Sequence, residues 1–268
     1  EIGSGLVGSE MCIRDSYNND VELDNFCSQC LLVINAVGPS FKINDKIALH
    51  ALRNNCHYID IGGYGILRDL LKPYEKSIEA QKLCFIIGVG WMPGISGVFS
   101  KTIIETHLNS PENTNFNIYY GAVDNWSYSS TYDLAASSMG KTRSYVYSHG
   151  KEIQVSPFRY THHKFFPFIG HKKICMPSFD EQLTQLATSL KQIRKISTFI
   201  MLNDYISMGK FMFIKIFYKH NLNKATLMLQ DDYQRLVKKE NKWGSVICQV
   251  SKICLLYTSP SPRDRSLS

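Results

Sequence analysis

The chain has 268 residues, and its 30 Lys and Arg outnumber its 23 Asp and Glu to leave a net charge of +7. The basic residues are spread along the chain without a recognition motif, which argues against a nucleic-acid partner. No run approaches the roughly 20 apolar residues of a membrane helix, so we expect no membrane association. Scattered cysteines without a pairing framework favour reduced thiols and predict a cytoplasmic protein.

Both ends of the chain resemble translated sequencing-adapter DNA. Residues 1–16 match one strand of a transposon adapter, and residues 254–268 match its reverse complement. Residues 3–8 have the spacing G-x-G-x-x-G, which is a dinucleotide-binding fingerprint only between a buried strand and a helix. Here too few residues precede the glycines to form a strand. We therefore exclude both ends from fold reasoning and expect residues 17–253 to be a fragment of a longer natural chain.

Residues 17–110 alternate between strand and helix patterns. The predicted elements are strands at 31–37, 57–61 and 84–89 and helices at 44–54, 72–81 and 94–107. The first strand is a short apolar run rich in β-branched residues, which is typical of a strand buried on both faces of a parallel sheet. The alternation favours right-handed βαβ units, so we predict the later part of a Rossmann-type domain whose first strands are missing.

Residues 111–220 follow a different pattern and predict a second, α+β lobe. Residues 115–122 alternate like an antiparallel strand, and residues 141–155 predict a hairpin that turns at His149 and Gly150. The other predictions are a helix at 178–190, strands or a helix at 197–218, and no clear period at 157–177. Residues 221–253 predict a helix at 225–240 and a strand at 245–250, in a segment that could return to the first domain.

The exits of the three predicted parallel strands are rich in glycine and proline. Ligands of an open parallel sheet bind beyond the carboxyl ends of its strands. Glycine allows close approach of the backbone to a ligand, and proline holds the shape of a loop. These exits therefore predict a glycine-lined rim at one edge of the sheet. Tyr58 and Asp60, which alternate with isoleucines near one exit, are expected to share one face.

Three motifs carry a resemblance to a known family. The runs V-I-N-A-V-G-P-S, H-Y-I-D and G-W-M-P-G-I-S-G stand in this order at residues 33–40, 57–60 and 90–97. Together they resemble the saccharopine dehydrogenase-like oxidoreductases. Residues 119–153 also look like the start of the substrate lobe of that family. The resemblance covers about residues 31–153 well and the remainder loosely.

The resemblance implies an NAD(P)-dependent oxidoreductase that transfers a hydride to or from a small amino-, imino- or keto-acid-like substrate. Its implied NAD or NADP contacts, along the nicotinamide side of the cofactor, are Asn35, Ala36, Gly38 and Pro39. Tyr58 and Asp60 would lie near the junction of cofactor and substrate, and they are weak catalytic candidates. The residues implied to shape the substrate cleft are Trp91, Pro93 and Gly94. The phosphate-binding glycine turn of the family is expected upstream of residue 17.

Several alternatives remain open. Asp60 could simply cap a loop, and the pair Cys27 and Cys30 lacks further ligands at zinc spacing, so we predict no metal site. A fold does not establish chemistry, and the alternative function is a non-catalytic Rossmann-derived scaffold or partner-binding protein. A homodimer is also left open. If the first strands are missing, the parallel sheet should show an uncovered edge or face.

Overall fold

The computed structural model of the protein describes residues 17–62, 64–107, 114–139, 144–149, 151–178, 181–189 and 193–252. The adapter-like ends and the glycine run at residues 3–8 lie outside the described residues. The described chain forms two β-sheets, one with three strands and one with seven. The strands are β1 (Leu32–Asn35), β2 (His57–Asp60), β3 (Phe85–Ile86), β4 (Thr114–Val123), β5 (Tyr145–Ser148), β6 (Lys151–Gln154), β7 (His162–Phe166), β8 (His171–Pro177), β9 (Lys195–Leu202) and β10 (Trp243–Lys252).

Helices connect and cover the two sheets. They are α1 (Asp20–Cys27), α2 (Ser40–Ile43), α3 (Lys46–Arg53), α4 (Tyr64–Leu71), α5 (Glu75–Ala80), α6 (Ile95–His107), α7 (Tyr128–Met139), α8 (Pro157–Tyr160), α9 (Glu181–Ser189), α10 (Tyr205–Phe217) and α11 (Leu222–Val237). Helices α1, α10 and α11 have polar N-cap residues, which are Asn19, Asp204 and Asn221 respectively. The side chain of each accepts a hydrogen bond from an amide in the first turn of its helix. In the described part of the chain, no helix combines the length and apolarity needed to cross a membrane.

The small sheet is parallel and has the order β1-β2-β3. Leu32 lies opposite His57 and Asn35 lies opposite Asp60, so the first two strands end level with each other. Helices α1, α3 and α4 cover one face of this sheet with a compact apolar core. Among the side chains of that core are Leu23, Val33, Ala48, Tyr58 and Leu67. The predicted βαβ pattern of residues 31–107 thus produces the expected parallel sheet.

The other face of the small sheet is exposed. On β1, Leu32 and Ile34 are 41% and 63% exposed, whereas the alternating residues Val33 and Asn35 are buried. The prediction that this strand is buried on both faces is therefore wrong, because the helices that form the lobe's core pack against a single face. The expected uncovered face of the sheet is observed instead, and it includes Ile86 on β3.

The large sheet has the order β10-β4-β9-β5-β6, with β8 pairing to the end of β9 and β7 pairing to β8. Strand β4 runs antiparallel to β10 over ten residue pairs and parallel to β9. Alternate residues of β9 face opposite cores. Ile196 and Ile200 pack beneath the helices, and Phe199 and Met201 pack in a second cluster on the opposite face. Both faces of this sheet are therefore built into apolar cores.

Two segments of the large lobe differ in detail from the sequence-based expectations, and a third agrees with them. Residues 157–177, which lacked a period, form α8 and the hairpin of β7 and β8. Residues 197–218 contain both a strand and a helix rather than one of the two. The hairpin predicted at 141–155 is confirmed, since β5 and β6 pair antiparallel across a turn in which His149 has a φ of 49°.

The last described residues, 221–252, belong to the large lobe. Helix α11 packs beside α7 and α10, and β10 pairs along the whole length of β4. Of the positions that the sequence left open for this segment, the structure shows the one in the large lobe. A ten-residue antiparallel ladder with one face in the core outweighs any local preference of the segment for another position. In the small lobe, α4 was not predicted, and β3 is shorter than its apolar pattern indicated.

Candidate functional site

A cleft of about 1860 Å³ lies between the small sheet and the large lobe. One wall consists of the loops that leave the carboxyl ends of β1, β2 and β3. The other wall consists of α7 and the ends of β4, β8 and β9, with parts of α10 and α11. This is the position at which an open parallel sheet binds ligands. The fold therefore brings the predicted rim opposite a second lobe.

The end of β1 is held by a buried polar network. The Nδ2 of Asn35 donates to the hydroxyl of Tyr58 at 3.0 Å and to Oδ2 of Asp60 at 2.7 Å. The Tyr58 hydroxyl donates to the same carboxylate oxygen at 2.5 Å. The Oδ1 of Asn35 accepts from the backbone N–H of Val37 at 3.0 Å. The network thus fixes the first turn of the loop that follows β1.

Burial raises the pKa of Tyr58 well above its ordinary value, and the adjacent Asp60 charge raises it further. The phenol therefore stays protonated and acts as a hydrogen-bond donor. Tyr58 is fully buried and Asp60 is 3% exposed, and neither residue lines the cleft. The expected contacts of both side chains with cofactor or substrate therefore stay predictions. The two side chains do share one face of β2 as expected, but it is the face that packs into the lobe.

The predicted residues of the β1 exit do reach the cleft. Ala36, Gly38 and Pro39 line it directly, and Asn35 contributes to the same wall. Gly38 also has a packing reason to be glycine, because a Cβ there would lie 2.9 Å from the Cβ of Ser129 on α7. The loop therefore presents backbone to the cleft while lying tightly against the opposite lobe.

The β3 exit divides its predicted residues between two roles. Trp91 and Pro93 line the cleft, whereas Gly94 does not. Gly94 has a φ of 124°, and a Cβ there would overlap the carbonyl oxygen of Gly90. Its N–H donates to Oε1 of Gln182 on α9 at 2.9 Å. Gly94 therefore closes the loop and anchors it to the large lobe, and its expected part in shaping the substrate cleft stays a prediction.

Asp133 on α7 was not identified from the sequence, although it joins the two lobes. Its carboxylate accepts from the backbone N–H groups of Ser40 at 2.9 Å and Phe41 at 3.2 Å. Burial raises the pKa of Asp133, although the two amides partly oppose that change. The carboxylate occupies the free amides at the start of α2, as an N-cap residue would. No local pattern reveals this contact, because 93 residues separate Asp133 from Ser40.

The wall formed by the large lobe is both aromatic and hydroxyl-rich. The rings of Trp126 and Tyr233 stack with their centroids 4.6 Å apart and nearly parallel, and both line the cleft. Burial raises the pKa of Tyr233, with a further contribution from the neighbouring Asp232. The serine residues of this wall include Ser127, Ser129, Ser130, Ser137 and Ser138 on or beside α7. Among the described residues, no group of three or more His, Cys, Asp or Glu side chains could hold a metal ion.

The parallel strands, the glycine-rich exits and the mixed-sheet lobe across a cleft define a saccharopine dehydrogenase-like fold. The chain resembles the apo histidine-tagged saccharopine dehydrogenase (L-Glu forming) from Saccharomyces cerevisiae with a TM-score of 0.53 and 18% sequence identity. The match covers 73% of this chain and 47% of that one. No protein-family model and no curated protein sequence matches the chain. At this identity the likeness establishes the fold.

Proposed function

We propose that the chain forms the cofactor- and substrate-facing part of an NAD(P)-dependent oxidoreductase of saccharopine dehydrogenase type. The observation that carries the proposal is the cleft at the carboxyl ends of β1, β2 and β3, which the large lobe closes from the other side. The proposed substrate is a small amino-, imino- or keto acid. When bound, NAD or NADP supplies the hydride donor or acceptor, and the protein orients it.

The described residues fit the nicotinamide side of such a cofactor. Ala36, Gly38 and Pro39 form a surface with short side chains, to which a flat ring and a ribose can come close. Asn35 holds the N–H of Val37 and thereby the shape of that surface. The described residues contain no glycine turn of the G-x-G-x-x-G type between a strand and a helix, so the pyrophosphate side needs residues outside them.

The second candidate function is a scaffold that keeps the fold without turnover. It is favoured by the burial of Tyr58 and Asp60, which are engaged with Asn35 and do not reach the cleft. The described lining also contains no His, Cys or Glu to serve as an acid or base. Turnover separates the two functions, because a scaffold binds ligand without oxidising NADH or NADPH in the presence of small keto acids.

The decisive experiment is a fluorescence titration of the protein with NADH and NADPH at millimolar concentrations. The test variant is Ala36→Glu, since Ala36 is exposed and lines the cleft. A carboxylate there repels an anionic cofactor, and we expect the Kd to rise at least about tenfold, or about 1.4 kcal/mol. The matched control is Ala80→Glu, which places the same charge on exposed α5 away from the cleft.

The control variant should bind like the parent chain. If neither nucleotide binds the parent chain at millimolar concentrations, the proposal fails. An equal loss of affinity in both variants would also count against it, because the effect would then be one of net charge and not of the cleft.

A further inference from the structure

Lys215 differs from the other charged residues of the cleft. The charged residues that line it, among those described, are Arg68, Asp69, Asp133, Asp232 and Lys215. Arg68 pairs with Asp69 at 2.9 Å. Asp133 accepts two backbone N–H groups. Asp232 forms an ion pair with Arg235 at 2.8 Å. Four of these five charged residues therefore have partners within the fold.

Lys215 has no hydrogen bond and no ion pair with any described residue. Its nearest recorded partner is the ring of Phe211, whose centroid lies 5.1 Å from the Nζ atom. Burial lowers the pKa of Lys215, and no neighbouring carboxylate opposes that change. Partly burying an ammonium group without a counter-charge costs free energy. Such a residue is costly to keep in a folded chain unless an anion arrives from outside to pair with it.

The neighbourhood of Lys215 indicates what kind of anion fits. Phe211 and Leu229 line the same part of the cleft and offer apolar surface next to a single point charge. Phosphate sites are more often built from arginine forks or from free amides at a helix N-terminus. The amides at the start of α2 are already taken by Asp133. A carboxylate carried on a short apolar stem matches this arrangement better than a phosphate does.

We propose that Lys215 is the anion-binding residue of the large-lobe wall and that it pairs with the carboxylate of a small organic acid. The inference rests on the proposed function in assigning that acid to the substrate side of the cleft. Lys215 thereby selects for substrates that keep a negative charge at one end. It binds substrate and takes no part in moving the hydride.

The experiment measures binding of glutarate, a small dicarboxylate, to the 268-residue chain by intrinsic tryptophan fluorescence. Two of the three tryptophans, Trp91 and Trp126, line the cleft, and Trp126 stacks on Tyr233, so the emission responds to occupancy. We expect Lys215→Gln to weaken glutarate binding about tenfold, and Lys215→Arg to stay within about threefold of the parent chain. The matched control is Lys219→Gln, which removes an exposed lysine just beyond α10.

A second ligand and a stability measurement complete the design. Inorganic phosphate should bind more weakly than glutarate, and tighter phosphate binding would overturn the assignment to a carboxylate. Lys215→Gln should unfold no more easily than the parent chain, because it removes an unpaired, partly buried charge. Unchanged glutarate affinity in Lys215→Gln, or a clear loss of stability, contradicts the proposal.

The failure of this inference can be told apart from a failure of the proposed function. Titration of the same variants with NADH reports on the strand exits, whereas Lys215 lies on α10 in the opposite wall of the cleft. Glutarate binding that depends on Lys215 without any nucleotide binding would leave the inference standing and remove the oxidoreductase. If the nucleotide binds and Lys215→Gln leaves the glutarate affinity unchanged, the oxidoreductase proposal stands and the inference about Lys215 fails.

Discussion

The two sheets of this protein are stabilised in different ways. The strands of the small sheet have four, four and two residues, and a single face of that sheet packs into a core. The large sheet contains two ten-residue strands, β4 and β10, and both of its faces pack into apolar clusters. Because apolar burial dominates stability, we expect the large lobe to be the more stable unit.

The cleft wall formed by the large lobe is therefore supported by apolar cores, whereas the wall formed by the small sheet depends on polar contacts. The loops of the small sheet are held by Asn35 and by links to the large lobe through Asp133 and Gln182. Polar contacts of this kind set geometry closely but each contributes only about 0.5–1.5 kcal/mol of net stability. The ligand-facing loops are therefore anchored on the large lobe instead of on a large core of their own.

The largest expected effect comes from emptying the core of the large lobe. Phe116 on β4 is fully buried among Ile118, Leu183 and Ile196. Phe116→Ala leaves a cavity there and should reduce the free energy of unfolding by about 3–5 kcal/mol. Urea denaturation measures the loss. Hydrogen exchange should show that amides of the large sheet lose protection. Unchanged protection in that sheet would mean that this core does not stabilise it.

A smaller loss is expected from the polar network of the small lobe. Asn35→Ala removes a donor from the buried Asp60 carboxylate and frees the N–H of Val37. Leaving buried polar groups without partners costs about 1–3 kcal/mol. Hydrogen exchange should localise the change to β1 and β2. Equal loss of protection in both sheets would mean that the lobes unfold as one unit.

The large lobe should also lose stability in acid through Asp204. Burial alone would raise the pKa of this carboxyl, but hydrogen bonds from Arg235 and Ser207 outweigh it and lower the pKa to about 2. A depressed carboxyl pKa stabilises the fold above the unfolded value near 3.8, and the contribution is lost as the pH falls from there to about 2. Urea midpoints measured across that window should fall steeply.

The matched variants for this measurement are Asp204→Asn and Asp69→Asn. Asp204→Asn should flatten the pH dependence between about pH 4 and 2, because the titrating group is gone. Asp69 is exposed and its variant should follow the parent curve, since exposed ion pairs contribute little. If the Asp204→Asn curve keeps the parent slope, the acid sensitivity lies elsewhere.

The smallest effect on stability is expected from a substitution on the exposed face of the small sheet. Ile34→Thr keeps a β-branched side chain at a position that is already 63% exposed. It should change the free energy of unfolding by less than about 0.5 kcal/mol. Val33→Thr, at a buried position, introduces an unpaired hydroxyl into the core and should lower the free energy of unfolding clearly more. Equal effects at the two positions would show that the outer face is covered in solution.

The sequence was most informative where the pattern is local. The strands at β1 and β2, the hairpin of β5 and β6, and the glycine-rich strand exits follow from residues close together in the chain. The alternation of Tyr58 and Asp60 correctly predicted a shared face. It did not reveal whether that face meets ligand or core, because the answer depends on which side of the sheet receives the helices.

The remaining parts of the site come from contacts between distant segments. Asp133 and Gln182 meet the strand exits across 93 and 88 residues, and neither stands in a recognisable motif. Lys215 lies on an apolar helix where nothing in its neighbours shows that its charge is left unpaired. The placement of residues 221–252 in the large sheet likewise depends on pairing with β4, more than a hundred residues upstream.

The sequence by itself determined the parallel βαβ pattern, the rim of glycine and proline at the strand exits, and the resemblance to the saccharopine dehydrogenase-like oxidoreductases. These features depend on short-range periodicity and on the backbone freedom of particular residues. The tertiary structure alone decided which face of the small sheet is exposed, which polar residues are buried, and which charge in the cleft has no partner among the described residues. Burial and charge pairing depend on what the rest of the chain brings to each residue, and no local pattern records that.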